Sequence, residues 1–364
     1  MSMVIGDLSA QDAVRLQRTH EGVRYEKMRG KLASDLREKE FRARRDAEVW
    51  SIKGVAPGSV HSNTFLSNVS LQYANDEFIG ERLMPVVPVN KRSDSWPTYP
   101  KRERLAGPDD LMGERSEANE LNETRGSDNY SVSDYALKNF VAGTTIENQD
   151  GAFNEMADLT EALLDVLALK REKRIATVLT TAANFSGNTV TLSGSDQWNS
   201  AGGGDPIKQM QDARAACWQG RGPGDFWGFA SLDVWNVIAR HAVTRDLFKY
   251  VTSGLVTPTM VAAEVGLAGI LIGAAREDTA NSGQTASYSR IWGKHFGIVR
   301  VARRPTLRNA AFGYTVRLAG DPVTNQWYDP AKGKAGGYYS QVGFSEQHKV
   351  AAGDTGYFIK DAIA

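Results

Sequence analysis

FNEMADLTEALLDVLALKREKRIATVLTTAA, residues 153–183, is the longest stretch of the chain that can form one helix with nothing to interrupt it. It contains no Pro or Gly, and at ~1.5 Å per residue it would make a rod of roughly 45 Å, longer than the ~30 Å across a small domain. Asn154 stands where it can cap the first turn, and Glu155 and Asp158 lie where the helix dipole favours negative charge. The apolar positions Met156, Leu159, Leu163, Leu164, Val166, Leu167, Leu169, Ile175, Val178 and Leu179 form a stripe, wide in the middle and narrow across KREKR at 170–174. The pattern predicts a spine helix, one half buried and the other partly solvated, around which the other segments are arranged.

After the spine the chain alternates. Helices are expected near 206–218, 232–241 and 258–265, and strands at 226–230 and 270–273, which together read as a compact α/β unit. The carboxyl end is strand-rich at 289–303, 312–318, 337–344 and 356–360, and is expected to supply a sheet that packs on the spine. Before the spine, residues 92–129 are strongly polar, with Trp96, Tyr99, Leu105, Leu111, Met112 and Leu121 as their few large apolar side chains. A segment this long without packing of its own is usually functional or disordered. The strand-like flanks at 84–89 and 130–141 make it a long hairpin, and Pro85 and Pro88 confine the first flank to a sheet edge. Residues 9–50 permit a helix, with Leu16, Val23, Met28, Leu32, Leu36 and Phe41 in a thin apolar seam and a slight basic excess. Such an arm buries too little to be stable alone and needs a partner surface. GVAPGSVHSN, residues 54–63, has the composition of a hinge.

The 364 residues leave room for two or three domains, and 43 Lys+Arg balance 43 Asp+Glu, which argues against a strongly basic nucleic-acid binder. Neither a run of 18 apolar residues nor a charged start with an apolar core is found, which predicts no membrane span, no secretory signal and a cytosolic setting. The single cysteine, Cys217, lies in the helical stretch QMQDARAACWQG and is expected to be a buried, inert thiol. Glycines 220, 222 and 224 miss GxGxxG by one residue, and Gly293-Lys294 and Gly333-Lys334 lack the Ser/Thr and upstream glycine of a phosphate loop. The five histidines, His20, His61, His241, His295 and His348, are scattered, without HExxH or a Cys/His set for zinc. No GxSxG is present. No catalytic, cofactor-binding or metal-binding residue is therefore assigned, and the chain is expected not to be an enzyme.

A polar arm, an unsupported hairpin, a long spine, an α/β insertion and a returning sheet resemble the major capsid proteins of tailed bacteriophages, the HK97-like α+β fold. Four phrases carry the likeness: NDEFIGERLMPVVPV at 75–89, KREKRIATVLTTAANF at 170–185, YSRIWGKHFGIVRVAR at 288–303 and KVAAGDTGYFIKDAIA at 349–364. It covers residues 64–364 and implies a helical arm at 1–63, a body starting at 64–91 and an extended loop at 92–129. It further implies a peripheral domain at 130–187 with the spine, an axial domain at 188–287 and a return to the peripheral domain at 288–364. In such proteins arm and loop reach onto neighbouring subunits, which singles out Trp96, Tyr99, Arg102, Arg104, Leu111 and Met112 in the loop and Met28, Leu32, Leu36 and Phe41 in the arm.

The implied function is self-assembly, in the bacterial host cytoplasm, of pentamers and hexamers into an icosahedral virion shell around double-stranded DNA, held without sequence specificity. The implied partners are a scaffolding protein and a portal, with a decoration protein as an optional addition in such shells, and no cofactor. An encapsulin-type nanocompartment shell and an oligomeric α/β enzyme are the alternatives, told apart by cargo peptides inside the shell and by a small discrete oligomer, respectively.

Overall fold

The computed structural model describes residues 78–98, 109–112, 117–121, 125–147, 155–200, 203–220, 224–250, 255–281, 283–302 and 309–364. The expected arm and hinge lie outside them.

The chain enters through a short helix α1 (Gly80–Leu83) and strand β1 (Val86–Val89), then passes into a two-stranded antiparallel hairpin, β2 (Ser93–Thr98) and β3 (Gly126–Ser131). Strand β4 (Ser133–Ala142) and helix α2 (Gly143–Glu147) lead to the spine, α3 (Glu155–Leu179). The hairpin stem thus lies inside the polar stretch, whereas the expected flanks belong mainly to a sheet of the body. Stem strands escape a hydrophobic reading because both their faces are largely exposed, so no apolar alternation is required of them.

The spine is shorter at its carboxyl end than the sequence predicts. Thr180 and Thr181 return their hydroxyls to the carbonyls of Ala176 and Thr177 at 2.8 and 2.6 Å, and Asn184 Nδ2 donates to Val178 O at 2.8 Å. These bonds satisfy carbonyls of the last turn, and a 3-10 turn, Ala182–Phe185, then drives Phe185 into the core.

A first sheet has the order β1-β11-β13-β12, with β11 (Gly313–Leu318), β12 (Val323–Asp329) and β13 (Gly337–Val350), and β4 on the other edge of β13. β1, carrying Pro88, lies at an edge, as the prolines require. β13 runs past residue 344, because β11 pairs with its second half where β12 leaves off. The spine rests on this sheet: Leu163, Leu164 and Leu167 meet Val342 and Phe344, and the hydroxyls of Thr160 and Ser340 are 3.1 Å apart.

The second module has a mixed sheet, β5-β14-β10-β6-β7, made of β5 (Thr189–Thr191), β6 (Asp225–Ser231), β7 (Gly269–Gly273), β10 (Phe296–Val301) and β14 (Gly356–Lys360). Its helices are α4 (Pro206–Ala216), α5 (Leu232–Arg240), α6 (Ala242–Phe248) and α7 (Pro258–Val265). Asp205 caps α4 by accepting from Ile207 N and Lys208 N, Ser231 caps α5, and Gly266 at φ 77° closes α7 in the left-handed conformation that glycine tolerates.

The carboxyl-end strands are therefore divided between two sheets rather than forming one on the spine. The expected strand at 289–303 is likewise split, into β9 (Tyr288–Arg290), which pairs with β8 (Arg276–Asp278), and β10. A turn with Gly293 at φ 60° separates them and buries Trp292. The last two turns of the spine enter a further cluster, where Ile175, Ala176 and Leu179 pack with Phe185, Phe229, Trp292, Phe312 and Phe358.

Candidate assembly surfaces and the charge cluster beneath them

The hairpin is clamped at its root. Lys349 Nζ is 2.9 Å from Asp128 Oδ1 and lies over the Trp96 ring at 5.8 Å, while Ser131 N donates to Gln347 Oε1 at 2.8 Å. Trp96 stacks on Tyr130 with ring centroids 6.1 Å apart, and Arg92 Nη2 reaches both oxygens of Asp134 at 2.7 and 2.8 Å. Trp96, singled out as an anchor for a neighbour, is thus half-buried by its own stem. Leu111 and Met112 differ: they are 83% and 57% exposed, and Leu121 is 58% exposed. Around them stand Asp109, Asp110, Glu117 and Glu120, with no Lys or Arg among tip residues 109–112 and 117–121. Tyr99, Arg102 and Arg104 of the loop, and Met28, Leu32, Leu36 and Phe41 of the arm, lie outside the described residues.

Beneath the hairpin root, the stretch at 170–174 is partly solvated at Lys170 and Lys173, as expected, but Glu172 is buried and Arg171 and Arg174 turn inward into a charge cluster. Glu346 of β13 is fully buried, and its carboxylate meets Arg174 at 2.6 Å, Arg317 at 3.1 Å and His348 Nε2 at 3.7 Å. Arg171 and Arg317 both reach Glu81 at 3.0 Å. Burial opposes charge on Glu346, but Arg171, Arg317, His348 and Arg174 outweigh it and hold its pKa below the ordinary value. Burial pushes the His348 imidazole down to about 4, opposed by Glu346 and reinforced by the arginines.

Glu172, one helical residue from Arg171, is satisfied differently. It accepts from Ile79 N at 3.0 Å, Gly80 N at 2.9 Å and Trp292 Nε1 at 2.9 Å. Burial raises its pKa, and these donors and Arg171 only partly offset that. A Cβ on Gly80 would fall 2.6 Å from Glu172 Oε2, which explains glycine there. Sequence reasoning missed this cluster because a run such as KREKR has the composition of a solvated helix face. Its partners Glu346 and Arg317 are far away in the chain.

On the second module, α4, α6 and α7 border an open cleft of about 530 Å³ where Val243 and Leu247 are exposed beside Ile207. Cys217 is buried at the end of α4; its thiol donates to Ala213 O at 3.3 Å, and burial pushes its pKa up to about 12. His295 Nδ1 accepts from Asp361 N at 3.0 Å. Among the described residues no group of three or more His, Cys, Asp or Glu is placed to hold a metal ion, and no helix is long and apolar enough to cross a membrane.

No family model matches the chain. It is 27% identical to the major capsid protein of Pseudomonas phage JBD67 over 303 residues, 82% of this chain and 96% of that protein. It is 26% identical to the major capsid protein of Burkholderia phage BcepMu over 277 residues, 73% of this chain and 87% of that one. Among solved structures, a phage-related protein of Bordetella bronchiseptica superposes with a TM-score of 0.66 at 23% identity, covering 84% of this chain and 98% of that one. The capsid protein of cyanophage P-SCSP1u gives 0.55 at 12% identity, covering 85% and 92%. The fold is that of HK97-like phage capsids.

Proposed function

We propose that this chain, a shell-forming protein homologous to phage major capsid proteins, closes its shell through the hairpin at 92–129 and the arm at 1–63, each reaching onto a neighbouring subunit. The observation that carries the proposal is the hairpin tip, where Leu111, Met112 and Leu121 lie exposed at the end of a stem fixed firmly at its root. Large apolar side chains held away from the body gain little unless another copy covers them. A tip on one copy that meets a different surface on the next makes a heterologous contact, which closes into rings and then a shell. Each contact is small, and repetition supplies the stability, as it does for linked binding sites.

In this reading the spine and first sheet form the peripheral domain, residues 188–287 form the axial domain, and the carboxyl strands β10 and β14 serve the axial sheet. The protein acts as a structural component of the virion and not as an enzyme. It assembles as pentamers and hexamers in the bacterial cytoplasm with a scaffolding protein and a portal, around double-stranded DNA enclosed without sequence specificity. The balanced charge suits a container that must enclose DNA without binding it tightly. Electron microscopy and sedimentation of the purified protein test this: closed shells or capsomers are expected, and a stable monomer at high concentration would overturn it.

A further inference from the structure

Residues 361–364 close the second module by crossing from the end of β14 to the turn at 197–199. Gln197 Nε2 donates to Asp361 O at 3.2 Å, Trp198 N to Ala362 O at 2.9 Å, and Ala364 N to Asn199 Oδ1 at 2.9 Å. Ala362 and Ile363 are buried in the same apolar cluster as Trp198. The crossing begins with a backbone turn that is costly to hold: among the described residues only Asp361, at φ 53°, and Ser186 take a positive φ without being glycine. Such a residue stays there only while its surroundings pin it. The pin is His295, just ahead of β10, whose Nδ1 accepts from Asp361 N at 3.0 Å. A ring nitrogen that accepts from a backbone N–H carries no proton, so the neutral imidazole is protonated on Nε2. Asp361 also supplies the alternative partner, because its Oδ1 is 3.6 Å from the same Nδ1.

We propose that His295 is a proton-operated latch on residues 361–364. Neutral, the imidazole holds Asp361 N and keeps the segment seated. Protonated, Nδ1 becomes a donor, gives up the bond from Asp361 N and takes the Asp361 carboxylate as its acceptor. The backbone then leaves the left-handed conformation, and Ala362 and Ile363 lift from the turn at 197–199. On the β14 side the imidazole meets the Phe358 ring edge-on, with centroids 5.3 Å apart. Asp361 favours the proton and Lys360 opposes it, while the exposed Lys294 precedes the imidazole on its own turn. Burial is the largest influence and lowers the pKa below the ordinary 6.5, so the latch is closed at neutral pH and opens as pH falls below that value. The inference concerns the subunit alone and stands apart from the shell-forming reading.

Hydrogen exchange by mass spectrometry on the full chain, corrected for its intrinsic pH dependence, tests the latch between about pH 7.5 and about pH 5. Peptides covering 196–200 and 361–364 should exchange about tenfold faster at the acid end while β6 keeps its protection. In His295→Gln the side-chain carbonyl still accepts from Asp361 N but does not titrate, so both peptides should stay protected over the whole range. Asp361→Asn keeps a residue that tolerates the left-handed backbone and removes the capturing carboxylate, so opening should move to lower pH. An acid response that His295→Gln leaves intact overturns the proposal. Exchange of β6 in step with the two segments also overturns it, since that is unfolding of the module and not release of a latch. If His295→Gln does not fold, an Asp361→Asn profile that matches the unaltered chain overturns it.

Discussion

Among the described residues of the second module one continuous cluster of 21 buried residues, including Trp198, Met210, Trp235 and Ile298, packs between helices and sheet. The seam between spine and first sheet has an apolar cluster of five and closes around Glu346 and its arginines. The first kind of burial depends on area and shape and is indifferent to protonation. The second depends on every member of a charge set being present and correctly ionised, because a buried charge left without its partner costs far more than the pair contributes. The core of the second module should therefore be uniformly rigid, while the seam answers to chemistry.

The largest effect should come from breaking the seam's hub. Glu346→Ala leaves Arg174 beneath the sheet without its carboxylate and Arg317 with Glu81 alone, and should cost about 3–5 kcal/mol in urea unfolding. Replacing Glu346, Arg174 and Arg317 together by Met should recover most of that loss. Met210→Ala in the second module should cost about 2–5 kcal/mol and have no such partner rescue. If the triple variant is no better than Glu346→Ala, the seam is held by shape and the contrast fails.

Acid should act next, and most strongly on the seam; in the second module His295, its pKa also lowered by burial, gives up the bond it accepts from Asp361 N when protonated and adds a loss of the same sign. Because the folded pKa of His348, about 4, lies below its ordinary value of 6.5, the unfolded chain takes up the proton first. Stability is then lost as pH falls from about 6.5 to about 4, on the order of 3 kcal/mol, with no further loss from this group below that. Glu346, with its pKa lowered, loses its contribution as pH falls through its folded value; Glu172, with its pKa raised, has the opposite sign and is relieved by acid. Hydrogen exchange, corrected for its intrinsic pH dependence, should show α3 and β13 loosening over this range while β6 and β7 hold. His348→Gln should flatten that part of the profile.

Smaller effects sharpen the contrast. Trp292→Phe keeps a ring against Phe229 but removes a donor to buried Glu172, and should cost about 1–3 kcal/mol. Leu111→Ala with Met112→Ala should change subunit stability by no more than about 0.5 kcal/mol, since both side chains are exposed, yet prevent shells from closing. Unfolding of that variant would place the tip in the subunit's own core. Cys217 should not react with a thiol reagent until the chain unfolds, and reductant should leave assembly unchanged.

What could be read from the sequence follows the same division. In the second module α4, α5 and α7 were legible because their signals are local: Asp205 before Pro206, Ser231 before Leu232, and Pro258 opening a helix that Gly266 closes; α6, which has no side-chain cap, was not. Leu111 and Met112 were legible as large apolar side chains in a segment that could not bury them. The hub was hidden because its meaning is a pairing across 172 positions between Arg174 and Glu346. β12, reading VTNQWYD, was hidden because its half-exposed residues carry no apolar alternation. That Tyr130 and Lys349 meet Trp96 within its own stem was hidden as well, because these contacts join positions far apart in the chain.

The Glu172 bonds also define a mechanical path. Ile79 and Gly80, just ahead of the strand that leads to the hairpin, hang from the spine by two hydrogen bonds about two turns before its carboxyl end. A pull on the hairpin that travels back along β1 would reach the spine at that point and not at its tip. The third bond, to Trp292, ties the same carboxylate to the turn between β9 and β10. Tension from a neighbouring subunit would then be shared at once by the rod and by the second module, through a single side chain.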